Sequence, residues 1–204
     1  MIPGLRYIPG YLDSQEHDSL LVAADAGPWQ DFGERRAQIY GYSYHYTKGG
    51  LYRVEDLPPW AEELAARLER DGLMPDRADQ LIVNDYAAGQ GIPPHVDAPL
   101  FTDTVISVSL ASTCVMEFTN EGGDAEEQFL EPRSVLVIGG DARREWKHSI
   151  PGRPVDVWQG REWPRGRRVS LTFRKVLPVD QRPPWEPASW ANVRKRLHPP
   201  RPGD

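Results

Sequence analysis

A chain of 204 residues, 39% of them hydrophobic, is long enough to bury the core of one sizeable domain, and its formal charge of −6 excludes a polyanion binder acting through its overall field. No stretch approaches the roughly 18 apolar residues needed to span a bilayer, and Met1 to Arg6 lacks the basic-then-apolar pattern of a signal peptide. Cys114 is the single cysteine, which excludes an intrachain disulfide and a cysteine-built zinc site; a cytoplasmic monomer without membrane attachment is expected.

Asp13 or Ser14 can cap a first helix running through Glu16 to about Ala24, with Gly27 and Pro28 stopping it. Tyr40, Tyr42, Tyr44 and Tyr46 alternate with small and polar residues, which predicts a strand over 39–46 with the tyrosines on one face, followed by a turn at Lys48, Gly49 and Gly50. Pro58 and Pro59 open a second helix, in which Trp60, Leu64 and Leu68 recur at helical spacing before Gly72 ends it. From residue 80 the pattern is β throughout: 81–86, 95–97, 104–110, 114–118, 134–138, 154–158 and 168–176. Long loops are expected at 119–128 and at 159–167, the latter carrying Arg161, Arg165 and Arg167. Short strands at this spacing, with helices ahead of them, predict a mainly β protein with flanking helices, built as a double-sheet barrel or jelly roll. Beyond Val176 the chain turns Pro-rich, and Arg182, Arg194, Lys195, Arg196 and Arg201 outnumber its acids, which reads as a basic tail over 177–204.

His95-Val96-Asp97 places an imidazole and a carboxylate at i and i+2, on one face of an expected strand. With His148 as third ligand, such a set leaves three positions open on an octahedral Fe(II). By itself the pair is what a solvated surface His and Asp would also give, and zinc accepts the same ligands. Arg168, Ser170, Thr172 and Arg174 alternate with Val169, Leu171 and Phe173, so two guanidiniums share one strand face. Facing a barrel interior they need an anion, and a dicarboxylate suits them; on an open sheet they would simply be solvated. Asn84 and Tyr86 share a face as well and can add hydrogen bonds to the same ligand.

Taken together, Asn84-x-Tyr86, the run Gly89-Gln90-Gly91-Ile92-Pro93-Pro94-His95-Val96-Asp97, His148, and Arg168 with Arg174 resemble the AlkB family of Fe(II)/2-oxoglutarate dioxygenases, over about residues 4–176. The run around His95 is most similar to the branch that hydroxylates modified wobble uridine in tRNA. The resemblance implies a double-stranded β-helix (jelly-roll) dioxygenase domain over 1–176, with a substrate-recognition lid at about 28–57. It implies Fe(II) on His95, Asp97 and His148, the distal carboxylate of 2-oxoglutarate on Arg168 with Asn84 and Tyr86, and Arg174 beside the inner carboxylate and Asp97. It also makes Arg35, Arg36, Tyr42, Tyr44, Tyr46 and Lys48 candidates for stacking a flipped base and holding phosphates.

The activity so implied consumes O2 and 2-oxoglutarate and hydroxylates a substrate carbon. On a carbon bound to a base nitrogen the product collapses and the alkyl group leaves; on a carbon bound to carbon the hydroxyl stays. DNA or tRNA is the expected transient partner. Where several DNA-repair members carry a second acid two residues after the metal-binding aspartate, this chain has Pro99, so their route to adenine or cytosine is not expected. A protein or small-molecule substrate, and a jelly-roll module that binds without turnover, are the competing expectations.

Overall fold

The structure, a computed structural model, describes residues 1–44 and 50–182. The Asp13 carboxylate accepts from the Glu16 backbone N–H at 2.8 Å, and the Glu16 carboxylate accepts from the Asp13 N–H at 2.9 Å. This capping box starts helix α1 (Ser14–Asp25) where the sequence predicts it. Helix α2 (Pro59–Arg70) begins on Pro58 and Pro59, buries Ala61, Leu64, Ala65 and Leu68, and ends before Gly72, whose φ is +69°. A third, unpredicted helix is short: α3 (Gly140–Arg144).

Among the described residues, seven strands form the larger sheet: β1 (Leu5–Ile8), β2 (Gln30–Asp31), β3 (Arg36–Tyr40), β6 (Gln80–Tyr86), β8 (Phe101–Ala111), β11 (Val135–Ile138) and β15 (Arg168–Val176). Four form the smaller: β7 (Ile92–His95), β9 (Cys114–Asn120), β10 (Ala125–Leu130) and β12 (Trp146–Ile150). Two hairpins stand apart, β4 (Tyr42–Tyr44) with β5 (Leu51–Arg53) and β13 (Val155–Trp158) with β14 (Arg161–Pro164). In the larger sheet β15 lies between β6 and β8, with β11 beyond; in the smaller β12 lies between β7 and β9, with β10 beyond. That interleaving is jelly-roll winding, as expected from the strand spacing.

Alternation along the strands sorts the two larger of three apolar clusters among the described residues. Val83, Val108, Val169, Leu171 and Phe173 face the helices and pack with Leu64, Leu68 and Tyr40. Tyr86, Leu136 and Ile138 face the other way, meeting Met116, Phe118 and Ile150 of the smaller sheet. The residues at the opposite parity on β15, Arg168, Ser170 and Arg174, therefore point between the sheets, and both arginines are buried there. The solvated alternative for this strand is excluded by its position.

Several expectations are corrected. The tyrosine run is not one strand: Gly41, at φ +76°, turns the chain so that Tyr40 ends a strand of the main sheet while Tyr42 and Tyr44 belong to the β4–β5 hairpin. Tyr46 and Lys48 lie outside the described residues, as does the tail from 183 onward. The acidic loop at 119–128 is mostly strand, because Ala125 to Leu130 pairs in register with Cys114 to Thr119 and leaves only a tight turn. The arginine-rich loop at 159–167 folds back as β14, where Trp163 reaches Phe129 with ring centroids 4.8 Å apart. Strand β7 ends at His95, so Asp97 is not on it. A Cβ on Gly41 would lie 1.9 Å from the Asp79 carbonyl oxygen. Gly41→Ala is thus expected to destabilise the fold by about 2 kcal/mol or more, combining left-handed strain with a backbone clash; urea denaturation measures it.

Candidate active site

His95 and His148 come together because β7 and β12 pair antiparallel with these two residues directly opposite. Their ring centroids are 4.3 Å apart. A carbonyl can only accept, so the 2.9 Å contact between His95 Nδ1 and the Pro93 oxygen fixes the proton on Nδ1 and turns the Nε2 lone pair outward. Asp97 follows in the extended segment after β7, and its Oδ2 lies 4.0 Å from His148 Nε2. The ligand atoms of His95, Asp97 and His148 all fall within 4.8 Å of one another.

Arg174 holds the other oxygen of this carboxylate. Its Nε and Nη2 donate to Asp97 Oδ1 at 3.0 and 2.6 Å, and its Nη1 donates to Gln80 Oε1 at 3.1 Å. Burial alone would raise the Asp97 carboxyl; Arg174, with the two imidazoles and Arg143 around it, overrides burial and holds it well below the usual carboxylate range. Burial also pushes His148 down, to about 3, with the neighbouring His95 and Arg174 adding to the shift and Asp97 opposing it. Both rings are accordingly neutral near pH 7, the form that binds a cation.

This shift has a consequence for the metal-free protein. Because folding depresses the His148 pKa, the unfolded chain takes up a proton first as pH falls. Stability is present above the free-histidine value of about 6.5 and is lost progressively from there down to about 3. Thermal melts in chelator across that range are expected to show the decline, and His148→Gln to flatten it.

Arg168 sits opposite Tyr86 across the β15–β6 pair, and Ser170 opposite Asn84. Arg168 is 3% exposed, donates to Ser109 Oγ at 3.0 Å, and lies over the Tyr86 ring at 5.8 Å. Among the described residues no acid pairs with it, and its buried Nε has no partner. Asp97 Oδ2 is the matching case on the negative side: buried, ionised and without a hydrogen-bond donor. An orphaned carboxylate oxygen between two imidazoles fits a divalent cation, and an orphaned guanidinium beside a phenol and an amide fits a small carboxylate.

The candidate lid residues divide. Arg35 turns inward, and its Nε donates to Asn84 Oδ1 at 2.8 Å. Arg36 is half-exposed, lies over the Trp29 ring at 4.6 Å, and donates to Asp85 at 2.7 Å. Tyr42 and Tyr44 are half-buried in β4, and the Tyr42 carbonyl accepts from Gln80 Nε2 at 3.3 Å, which ties this hairpin to the residue that also holds Arg174. An open groove of about 510 Å³ runs outside, lined by Trp29, Arg35, Arg36, Asp85, Gln90 and Arg167 among others. None of His95, Asp97 and His148 lines it; Arg35 is the link between groove and interior.

Sequence reasoning missed Ser109, Gln80, Asp85 and Arg143. Asp85 pairs with Arg36 and Arg167, shaping the groove, and Arg143 donates to the Asp97 and Ala98 carbonyls. None carries a motif, although the even parity of Gln80, Asn84 and Tyr86 on one strand could have included Gln80. Of the arginines at 161–168, Arg161 is exposed and Arg167 lines the groove, while the other two turn inward. Arg165 is buried in a bidentate pair with Asp156, and Arg168 faces the interior.

Residues 4–174 match the 2OG-Fe(II) oxygenase superfamily. The chain is 35% identical, over 86% of its length, to an Arabidopsis thaliana alkylated DNA repair protein ALKBH8 homolog, and 33% identical, over 85%, to the mouse tRNA (carboxymethyluridine(34)-5-O)-methyltransferase ALKBH8. It spans 59% and 30% of those proteins, respectively. It is also 28% identical to a probable RNA/DNA demethylase ALKBH6 of Danio rerio, covering 87% of each chain. Among solved structures, OsALKBH1 superposes with a TM-score of 0.69 at 16% identity, over 86% of this chain and 98% of that one, a likeness of fold. No described helix is long and apolar enough to cross a membrane.

Proposed function

We propose that this chain, which belongs to the 2OG-Fe(II) oxygenase superfamily and is a 2-oxoglutarate-dependent dioxygenase of the AlkB type, oxidises alkylated or modified nucleobases in DNA or RNA. The family works with Fe(II), 2-oxoglutarate and O2, and the bound iron supplies the oxidising power by coupling decarboxylation of 2-oxoglutarate to hydroxylation of a C–H bond. In this reading His95, Asp97 and His148 hold the metal. Arg168 takes the distal carboxylate, Asn84 and Tyr86 add hydrogen bonds to it, and Arg174 lies by the inner carboxylate while fixing Asp97. Residues 1–176 act as the catalytic domain, about 28–57 as its lid, and 177–204 as an appended tail.

One observation carries the assignment. A buried Arg168 without an acid partner among the described residues shares the space between the sheets with a cluster of half-buried His95 and buried Asp97 and His148. A cation on the cluster and an anion on Arg168 would answer both groups, which supports this reading. Tyr86 supports the same reading, since burial pushes its phenol up and keeps it a hydrogen-bond donor.

The groove supports the substrate class. Arg36 and Arg167 reach its surface from their Asp85 anchor, and Trp29 supplies an aromatic wall, the combination that tracks a nucleic-acid strand. Arg36→Ala is expected to weaken binding of a single-stranded oligonucleotide and to lower the log–log salt slope by about 1. An unchanged slope removes Arg36 from the phosphate path.

Resemblance of the run around His95 to the branch that hydroxylates wobble uridine, beside likeness to a tRNA (carboxymethyluridine(34)-5-O)-methyltransferase, favours a second reading, stable hydroxylation of a modified tRNA uridine. Product mass decides between the two. The protein with Fe(II) and 2-oxoglutarate is offered methylated and etheno-containing oligonucleotides and tRNA. Loss of the alkyl group supports dealkylation, and gain of one oxygen supports the tRNA reading. Succinate formation stimulated by no nucleic acid would reject both and leave a protein or small molecule.

A further inference from the structure

The aspartate of the metal cluster is the one ligand that no sheet holds. His95 ends β7 and His148 lies within β12, so ladder hydrogen bonds set their directions. Asp97 sits past the end of β7, and Val96, Asp97 and Ala98 belong to no strand. Backbone without a ladder must be fixed from elsewhere if its side chain is to hold a geometry.

Arg143 does this. Its Nη1 donates to the Asp97 carbonyl at 3.0 Å and its Nη2 to the Ala98 carbonyl at 2.8 Å, two parallel bonds from one planar fork to consecutive peptides. The residue is 5% exposed, and its buried Nε has no partner among the described residues. No described acid pairs with it within salt-bridge distance. A buried guanidinium spent on two carbonyls is expensive, and stability alone does not account for it, because an apolar side chain would cost less. Its position explains it. Arg143 lies on α3, which runs through Glu145 directly into β12 and so into His148. One side chain therefore ties the segment bearing Asp97 to the element bearing His148.

We propose that Arg143 is a positioning residue that preforms the metal site, holding the Asp97 backbone so that Oδ2 stays beside His148 while Arg174 engages Oδ1. This rests on the reading of His95, Asp97 and His148 as metal ligands. The two arginines divide the work: Arg174 orients the carboxylate, and Arg143 anchors the peptide that carries it. Loss of either leaves the other unable to define the position, since a carboxylate held at one oxygen swings with its backbone.

Metal-free protein titrated with Co(II), followed by calorimetry and by the ligand-field absorption of the bound ion, tests the proposal. Arg143→Gln is expected to weaken Co(II) binding by about 10- to 100-fold and to alter the absorption bands. Arg143→Lys keeps the charge without the fork and is expected to fall between; it decides the matter should the glutamine variant not fold. A merely structural Arg143 would lower the melting temperature in chelator yet leave Co(II) affinity and bands unchanged. That result, beside a His148→Ala variant that has lost binding, overturns this proposal alone. Failure of the unaltered protein to bind Co(II) would overturn the metal-site reading and this proposal with it.

Discussion

Asp97→Asn is expected to abolish turnover and metal binding, and also to destabilise the metal-free protein, a combination that His148→Ala does not produce. The amide is a weak, neutral ligand, so iron is lost in either variant. The difference lies in what Asp97 does without metal. Its carboxylate is the partner for the Arg174 guanidinium, with Arg143 bonded to its own backbone, and both arginines are buried. Removing one member of a buried pair leaves the other charge uncompensated, which costs roughly 3–5 kcal/mol.

For a domain of this size that corresponds to a fall in melting temperature on the order of 10 °C, measured in chelator. The loss is present at neutral pH and shrinks toward low pH. Asp97 titrates below the usual carboxylate range in the folded protein, so its contribution exists above about pH 4 and disappears as pH falls through the folded value. His148→Ala removes a neutral, buried ring and is expected to leave the acid limb free of the histidine penalty. Retention of Fe(II)-dependent conversion of 2-oxoglutarate to succinate by Asp97→Asn would contradict the role given to this residue.

The elements written locally were legible in the chain. Asp13 and Glu16 announce α1, Pro59 and Leu64 announce α2, and the alternation through Arg168 to Arg174 sets both faces of the strand that bears the two buried arginines. What stayed hidden depends on partners distant in sequence. The strand that carries His148, Trp146–Ile150, has no clear period of its own, and pairing with His95 on one side and Phe118 on the other orients it. Asp97 joins the two histidines by a route that strand parity covers only in part. The i, i+2 rule presumes a strand that in fact stops at His95, and the convergence is restored by Arg143 and Arg174.

Arg35 illustrates the same limit from the other side. The family resemblance makes it a candidate substrate contact, while its guanidinium donates inward to the Asn84 amide oxygen. Asp85, read in sequence as a spacer between Asn84 and Tyr86, becomes the anchor for Arg36 and Arg167 because it points to the opposite face of β6. A motif names the residues of one face; the facing strands decide what the others do.

Arg168→Met is expected to do two opposite things, and the opposition separates a ligand-binding arginine from a structural one. Without 2-oxoglutarate, Arg168 is a buried cation with a single described hydrogen bond, to Ser109, and an orphaned Nε. Methionine keeps an unbranched apolar stem and removes the desolvated charge, so the cosubstrate-free variant is expected to be as stable as the unaltered protein or more so, by about 1–4 kcal/mol. With 2-oxoglutarate the order reverses. Truncating one partner of a desolvated charge pair costs roughly 2–5 kcal/mol of binding, a rise in KM for 2-oxoglutarate of about 30-fold or more. The unaltered protein gains about 2.7 kcal/mol from ligand at 100 times its dissociation constant, whereas the variant at that same concentration gains little. Thermal melts with and without 2-oxoglutarate, in the presence of a redox-inert divalent metal, are expected to show the two melting curves crossing in order. A structural arginine would instead lower stability in both conditions by the same amount. That outcome would leave the anion site without its main residue, since Asn84 already receives Arg35 and Tyr86 offers one hydroxyl.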